Sequence, residues 1–141
     1  MKKLLAITAL LLLKFSSVYC QSNFKVDSIY YILPENKNDK DSSILNFDSD
    51  EHMVYTTLQS VHLKNGEKPF VSYSLKDEKT YLSSIKLKKL NIVSSSELML
   101  KCREVLNENK IEQYRFFFLE KVAERKYLIH TIKVRQTQTV N

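Results

Sequence analysis

A single glycine in a chain of 141 residues, Gly66, restricts what this sequence can become more than any motif in it. Loops that cradle phosphate use glycine for positive φ and for close approach of the backbone to the anion. One glycine cannot supply a P-loop or a dinucleotide fingerprint, so the nucleotide-binding α/β folds are set aside. The glycine stands in Asn65-Gly66, two residues that tolerate positive φ, between the apolar segments Met53–Leu63 and Phe70–Leu75. That arrangement predicts an antiparallel hairpin. In its second arm Val71, Tyr73 and Leu75 alternate with Ser72 and Ser74, the pattern of a strand with one wet face.

Other segments share this period. Phe24–Leu33 is rich in aromatic and β-branched residues and stops at Pro34, and Ile44–Phe47 is a candidate short strand. Gln113–Glu120 and Lys126–Arg135 read as a second hairpin. In its first arm Tyr114, Phe116 and Phe118 fall on one side and Phe117 on the other, which places that strand centrally. In its second arm Leu128, Ile132 and Val134 share a face, with His130 among them. Thr80–Val93 is ambiguous, with an edge strand at its end as one reading. The polar stretches Glu35–Ser43 and Asp48–His52 read as loops.

One helix is well signed. Ser94 and Glu97 form an S-x-x-E capping box, in which each side chain satisfies a backbone N–H at a helix start. Beyond it Leu98, Cys102, Val105 and Leu106 fall on one face, with Met99 beside them, while Lys101, Arg103, Glu104 and Glu108 face away. The expected fold class is therefore α+β: a mainly antiparallel sheet of five to seven strands with one amphipathic helix on one face.

The first twenty residues have a different character. Lys2 and Lys3 precede the apolar run Leu4–Leu13, and a short polar region leads to Cys20. This is the pattern of an export signal, and it resembles the signals of exported bacterial proteins. The run is about half the roughly 20 apolar residues that a membrane-crossing helix needs. Tyr19 is too large for the position before a lipidated cysteine, whereas Val18 and Cys20 suit ordinary signal peptidase. The expectation is a signal at 1–20, one domain over 21–135 and a polar tail at 136–141. The mature protein would be periplasmic or extracellular, without lipid, and would keep only Cys102.

Removing Lys2, Lys3 and Lys14 with the signal lowers the net charge from +6 to +3. No concentrated basic face or nucleic-acid module is evident, so nucleic acid is not an expected partner. The charge is uneven, with residues 21–60 at net −4 and 61–141 at +7, so the two halves are expected to attract each other. Lys86, Lys88 and Lys89 form a compact basic cluster within the second half.

Residues able to do chemistry are few. Cys102 lies within the helix's apolar stripe, where a thiol is a core residue rather than a nucleophile. Ser83 and Lys86 spell S-x-x-K, without the further motifs that accompany that dyad. Asp48, Asp50, Glu51 and His52 crowd together, yet the glycine and the final glutamate of a Ca²⁺ loop are missing. A three-histidine zinc site would need His52, His62 and His130 to meet. Asp39–Glu51 is expected to be a solvated acidic loop without tight metal binding. No catalytic, cofactor-binding or metal-ligating residue is assigned. The preferred reading is a non-catalytic extracytoplasmic binding or protein-interaction domain, with partner unspecified. The alternative is a small metal-dependent hydrolase using Asp48, Asp50 and His52.

Overall fold

The computed structural model describes residues 25–35 and 45–137. The expected signal with Cys20, most of the polar stretch Glu35–Ser43 and the end of the tail lie outside the described residues. Among the described residues there are seven strands: β1 (Asp27–Ile32), β2 (Asp48–Ser49), β3 (Met53–Thr57), β4 (Pro69–Ser74), β5 (Thr80–Ser83), β6 (Tyr114–Ala123) and β7 (Lys126–Gln136). A one-turn helix, α1 (Ser84–Leu87), follows β5, and the long helix α2 (Ser95–Asn107) precedes a 3₁₀ turn at Ile111–Gln113. The sheet runs in the order β1-β6-β7-β4-β3-β2, with β5 also paired to β7. Every pairing is antiparallel except β1 with β6. The α+β architecture expected from the sequence is the one observed.

Local signals act as anticipated. Ser94 caps α2 by accepting from the Glu97 N–H, while Glu97 accepts from the Ser94 N–H at 2.8 Å. The buried face of α2 carries Leu98, Cys102 and Val105. It packs on the side of the sheet that presents Ile29 and Tyr31 from β1, Phe116 and Phe118 from β6, Val71 and Tyr73 from β4, and Ile132 and Val134 from β7. Phe118 is the hub, meeting Tyr31, Phe47 and Tyr73 edge-on with ring centroids 5.7, 5.6 and 6.1 Å away. Strand β6 lies between β1 and β7 and is apolar on both faces, as its sequence implies. On the far face Phe117 stacks on Tyr30 at 4.9 Å, and Leu119 is fully buried.

The far face is crossed by residues 84–93. At one end the Ser84 N–H donates to the Arg125 carbonyl, beside β5 and β7. At the other, Tyr30 donates to Asn91 and accepts from Val93, closing the outer edge of β1. This strap runs from β5 to the outer edge of β1 and protects an edge that would otherwise offer unpaired backbone groups.

Several boundaries differ from the sequence reading. The ambiguous segment Thr80–Val93 holds its strand at the start, with a single bridge from Ile92 to Tyr30 at its end. Ile44–Phe47 supplies no strand among its described residues. Leu45 and Phe47 pack into the core from irregular chain, and pairing begins at Asp48–Ser49, which had read as loop. Strand β3 stops at Thr57, but Leu58, Val61 and Leu63 remain buried along the connection to β4. At its Asn65-Gly66 end only Gly66 takes a positive φ, +84°, and its N–H donates to the Leu63 carbonyl. Ser72 is buried, because the longer cross-strand neighbours Tyr55 and Lys133 flank it. Leu75 is exposed, because β4 ends at Ser74 and the chain leaves the sheet.

Candidate functional site: a notch between two strands on β7

Strand β7 carries two partners in succession on the edge opposite β6. Strand β5 pairs with it over Lys126–Ile129 and β4 over Lys133–Gln136. Between these ladders, at His130, the edge of β7 is left to neither strand. The connection Leu75–Lys79 arches past the gap, leaving an open notch of about 180 Å³ lined by Ser74, Asp77, Glu78, Lys79, Glu120 and His130, with apolar contacts from Leu75, Leu128 and Ile129.

Two side chains of its lining, His130 and Glu120, are paired, and the buried Tyr73 backs the imidazole. His130 Nε2 lies 2.8 Å from Glu120 Oε2, and the imidazole lies against the Tyr73 ring with centroids 4.2 Å apart. The His130 side chain is only 10% exposed, whereas that of Glu120 is 48% exposed. Strand alternation explains the grouping. His130 stands opposite Phe118 in the β6–β7 ladder, so Glu120, two residues further along β6, projects from the same face. Burial raises the pKa of Tyr73, and the nearby Glu120 charge adds to the effect. Its phenol therefore stays neutral and acts as a flat wall for the imidazole. Asp77, Glu78 and Glu120 give the rim three carboxylates against one ammonium, Lys79. Such a rim favours a small positively charged group over an anion.

The residues singled out from the sequence lie elsewhere. The Asp50 carboxylate accepts from the backbone N–H groups of His52 and Met53 at 2.7 and 2.8 Å, closing the β2–β3 turn. Those two bonds hold its pKa below the ordinary value. Asp48 belongs to β2 opposite Tyr55, so the acidic cluster is spread over a strand and a turn. No three His, Cys, Asp or Glu side chains among the described residues gather as a metal would require. Cys102 is fully buried, and burial pushes its thiol up to about 12. Ser83 and Lys86 lie on either side of the β5–α1 junction, with Lys86 exposed at the surface.

His130 was visible in the sequence as a polar interruption of the Leu128–Ile132–Val134 face. Glu120, Tyr73 and the Asp77–Lys79 arch were not associated with it. The alternation Phe116–Phe118–Glu120 was the available signal, since it puts a carboxylate on the core-facing side at the end of an apolar run. Comparison with protein-family models, with curated proteins and with solved structures found no match for this chain.

Proposed function

We propose that this is an exported, non-catalytic binding domain whose ligand offers a small cationic group, an ammonium or guanidinium, to the notch beside His130. Export rests on the N-terminal pattern of Lys2 and Lys3, the apolar run Leu4–Leu13 and the small residues that follow. The mature protein is then periplasmic or extracellular and carries no lipid. Binding rests on one observation: a nine-tenths buried imidazole, paired to a half-exposed carboxylate, opens onto a concave site rimmed by further carboxylates. The volume has room for a side-chain-sized group, which fits recognition of one cationic terminus on a larger partner. The hydrolase alternative has no comparable support, since the Asp50 carboxylate is engaged in its own turn.

The test is a titration of the ¹⁵N-labelled protein with putrescine and with arginine amide, using acetate as the anionic control. Backbone and imidazole resonances of His130 and the amides of Asp77–Lys79 should move, with Kd on the order of 1 mM for so few contacting atoms. Glu120→Gln should weaken both ligands. Absence of shifts at these residues, or equal shifts with acetate, would remove the assignment. Intact mass of the exported protein tests the other half, with a start at Gln21 expected.

A further inference from the structure

The strap across the far face ends in a feature independent of the notch. Within it, Leu87 and Leu90 are half-buried, while Ile85, Lys86, Lys88 and Lys89 are exposed. Backbone bonds from Lys89 to Lys86 and from Leu90 to Leu87 continue the helical turn beyond α1. Ile85, Lys88 and Lys89 therefore share its outer side, at spacings of three and four. Ile85 is 77% exposed, the highest of the exposed large apolar side chains among the described residues. The Ser84–Arg125 backbone bond holds the β6–β7 turn alongside, so Arg125 joins the three lysines. None of these four cations makes an ion pair among the described residues, in contrast to Lys101, Lys110 and Lys121. Glu124 is the one carboxylate in the adjoining turn.

We infer that this corner is a peripheral membrane-docking site, which places Ile85 at the headgroup–acyl boundary of an anionic bilayer with Lys86, Lys88, Lys89 and Arg125 among the lipid phosphates. No helix among the described residues is long and apolar enough to cross a membrane, so attachment here is by surface contact. Charge complementarity selects the occupant. Cations left without protein partners gain most from a surface dense in negative charge, and each lysine or arginine near such a surface adds to binding. An aliphatic side chain projecting between cations suits a fluid interface that admits it at any point, and it needs no preformed cavity. A folded acidic protein would instead have to bury Ile85 in a matching apolar pocket.

The chain contains no tryptophan, so Ile85→Trp creates a single reporter at the proposed contact. The full-length variant is mixed with vesicles of phosphatidylcholine alone and of phosphatidylcholine with phosphatidylglycerol. Trp emission should shift to the blue on the anionic vesicles only, and high salt should reverse it. Leu100→Trp, on the exposed side of α2, should give no shift on either. The apolar N-terminal run could hold the chain to any vesicle, but it would not change the environment of position 85. Replacing Lys86, Lys88 and Lys89 together by glutamine should weaken the anionic-vesicle response about a hundredfold, from roughly fivefold per lysine. The inference is overturned by an unshifted Ile85→Trp, by equal shifts on both vesicles, or by an unaffected triple variant. A shift with polyglutamate but not with lipid would assign the corner to an acidic protein partner instead.

Discussion

Replacing Phe118 by leucine removes the ring on which the core and the notch both depend. Phe118 is 1% exposed and meets three rings at interplanar angles of 66°, 83° and 84°. Each edge-to-face pair is worth about 0.5–1.5 kcal/mol beyond area burial, so three contribute roughly 1.5–4.5 kcal/mol. A change of shape at similar volume adds up to about 1.5 kcal/mol. The expected loss is therefore about 1.5–6 kcal/mol, a large share of the 5–15 kcal/mol stability typical of native proteins. Phe116 is the internal control. It is 2% exposed but has one ring neighbour among the described residues, Tyr114 at 6.4 Å and tilted rather than edge-on. Phe116→Leu should cost at least about 1 kcal/mol less, because two ring pairs fewer are lost. Urea unfolding measures both, read from the midpoint with an unchanged slope. Because Phe118 stands opposite His130 and both rings meet Tyr73, Phe118→Leu should also move the His130 ring resonances, while Phe116→Leu leaves them in place. Equal destabilisation by the two substitutions would refute the claim that ring geometry, rather than burial alone, holds this core.

Three further outcomes follow from the geometry. Modification of Cys102 by a thiol reagent should proceed only as fast as the domain opens, and Cys102→Asp should destabilise by several kcal/mol, because it buries an unpaired charge; fast labelling of the folded protein would mean that α2 is turned the other way. Glu97 is held below its ordinary value of 4.5 by the Ser94 backbone N–H and then by the Ser94 hydroxyl, so its stabilisation is present above pH 4.5 and is lost as pH falls through the lower folded value. Glu97→Gln should flatten that part of the acid-denaturation curve, and an unchanged curve would show that the capping box carries no linkage. Gly66→Ala meets no atom within 4 Å but must hold a φ of +84°, so it should cost about 1–2 kcal/mol by thermal melt, and Gly66→Asn should cost less.

What the sequence disclosed was local. The capping box at Ser94 and the stripe Leu98–Cys102–Val105 lie within twelve residues of one another, and backbone chemistry there needs no help from the rest of the fold. The β6–β7 hairpin is equally local, as is the two-faced character of the strand carrying Phe116, Phe117 and Phe118. The parallel pairing of β1 with β6 joins residues more than eighty positions apart, Asp27 with Tyr114, and nothing in either segment states which partner it takes. The position of β5 was hidden for another reason. Thr80–Ser83 is short and mostly exposed, so its side chains show little of the alternation that marks a half-buried strand.

The notch illustrates why a site of this kind escapes sequence reading even when its parts are seen. His130 is polar among apolar neighbours, and its isolation on that face was apparent, but an isolated histidine says nothing about what stands across from it. Its surroundings come from three separate decisions of the chain. The β6–β7 register brings Phe118 opposite His130 and puts Glu120 within 2.8 Å of its ring. The end of β4 at Ser74 turns Leu75–Lys79 away from the sheet, and the arrival of β5 at Ile129 stops the second ladder one residue short of His130. A shift of one residue in the β6–β7 register would carry Glu120 to the other face, and a β4–β7 ladder continued two residues past its last pair, Ser72 with Lys133, would reach Thr131. The site thus follows from where strands stop, and strand ends are set by the competition between ladder bonds and turn formation rather than by any residue that carries the chemistry.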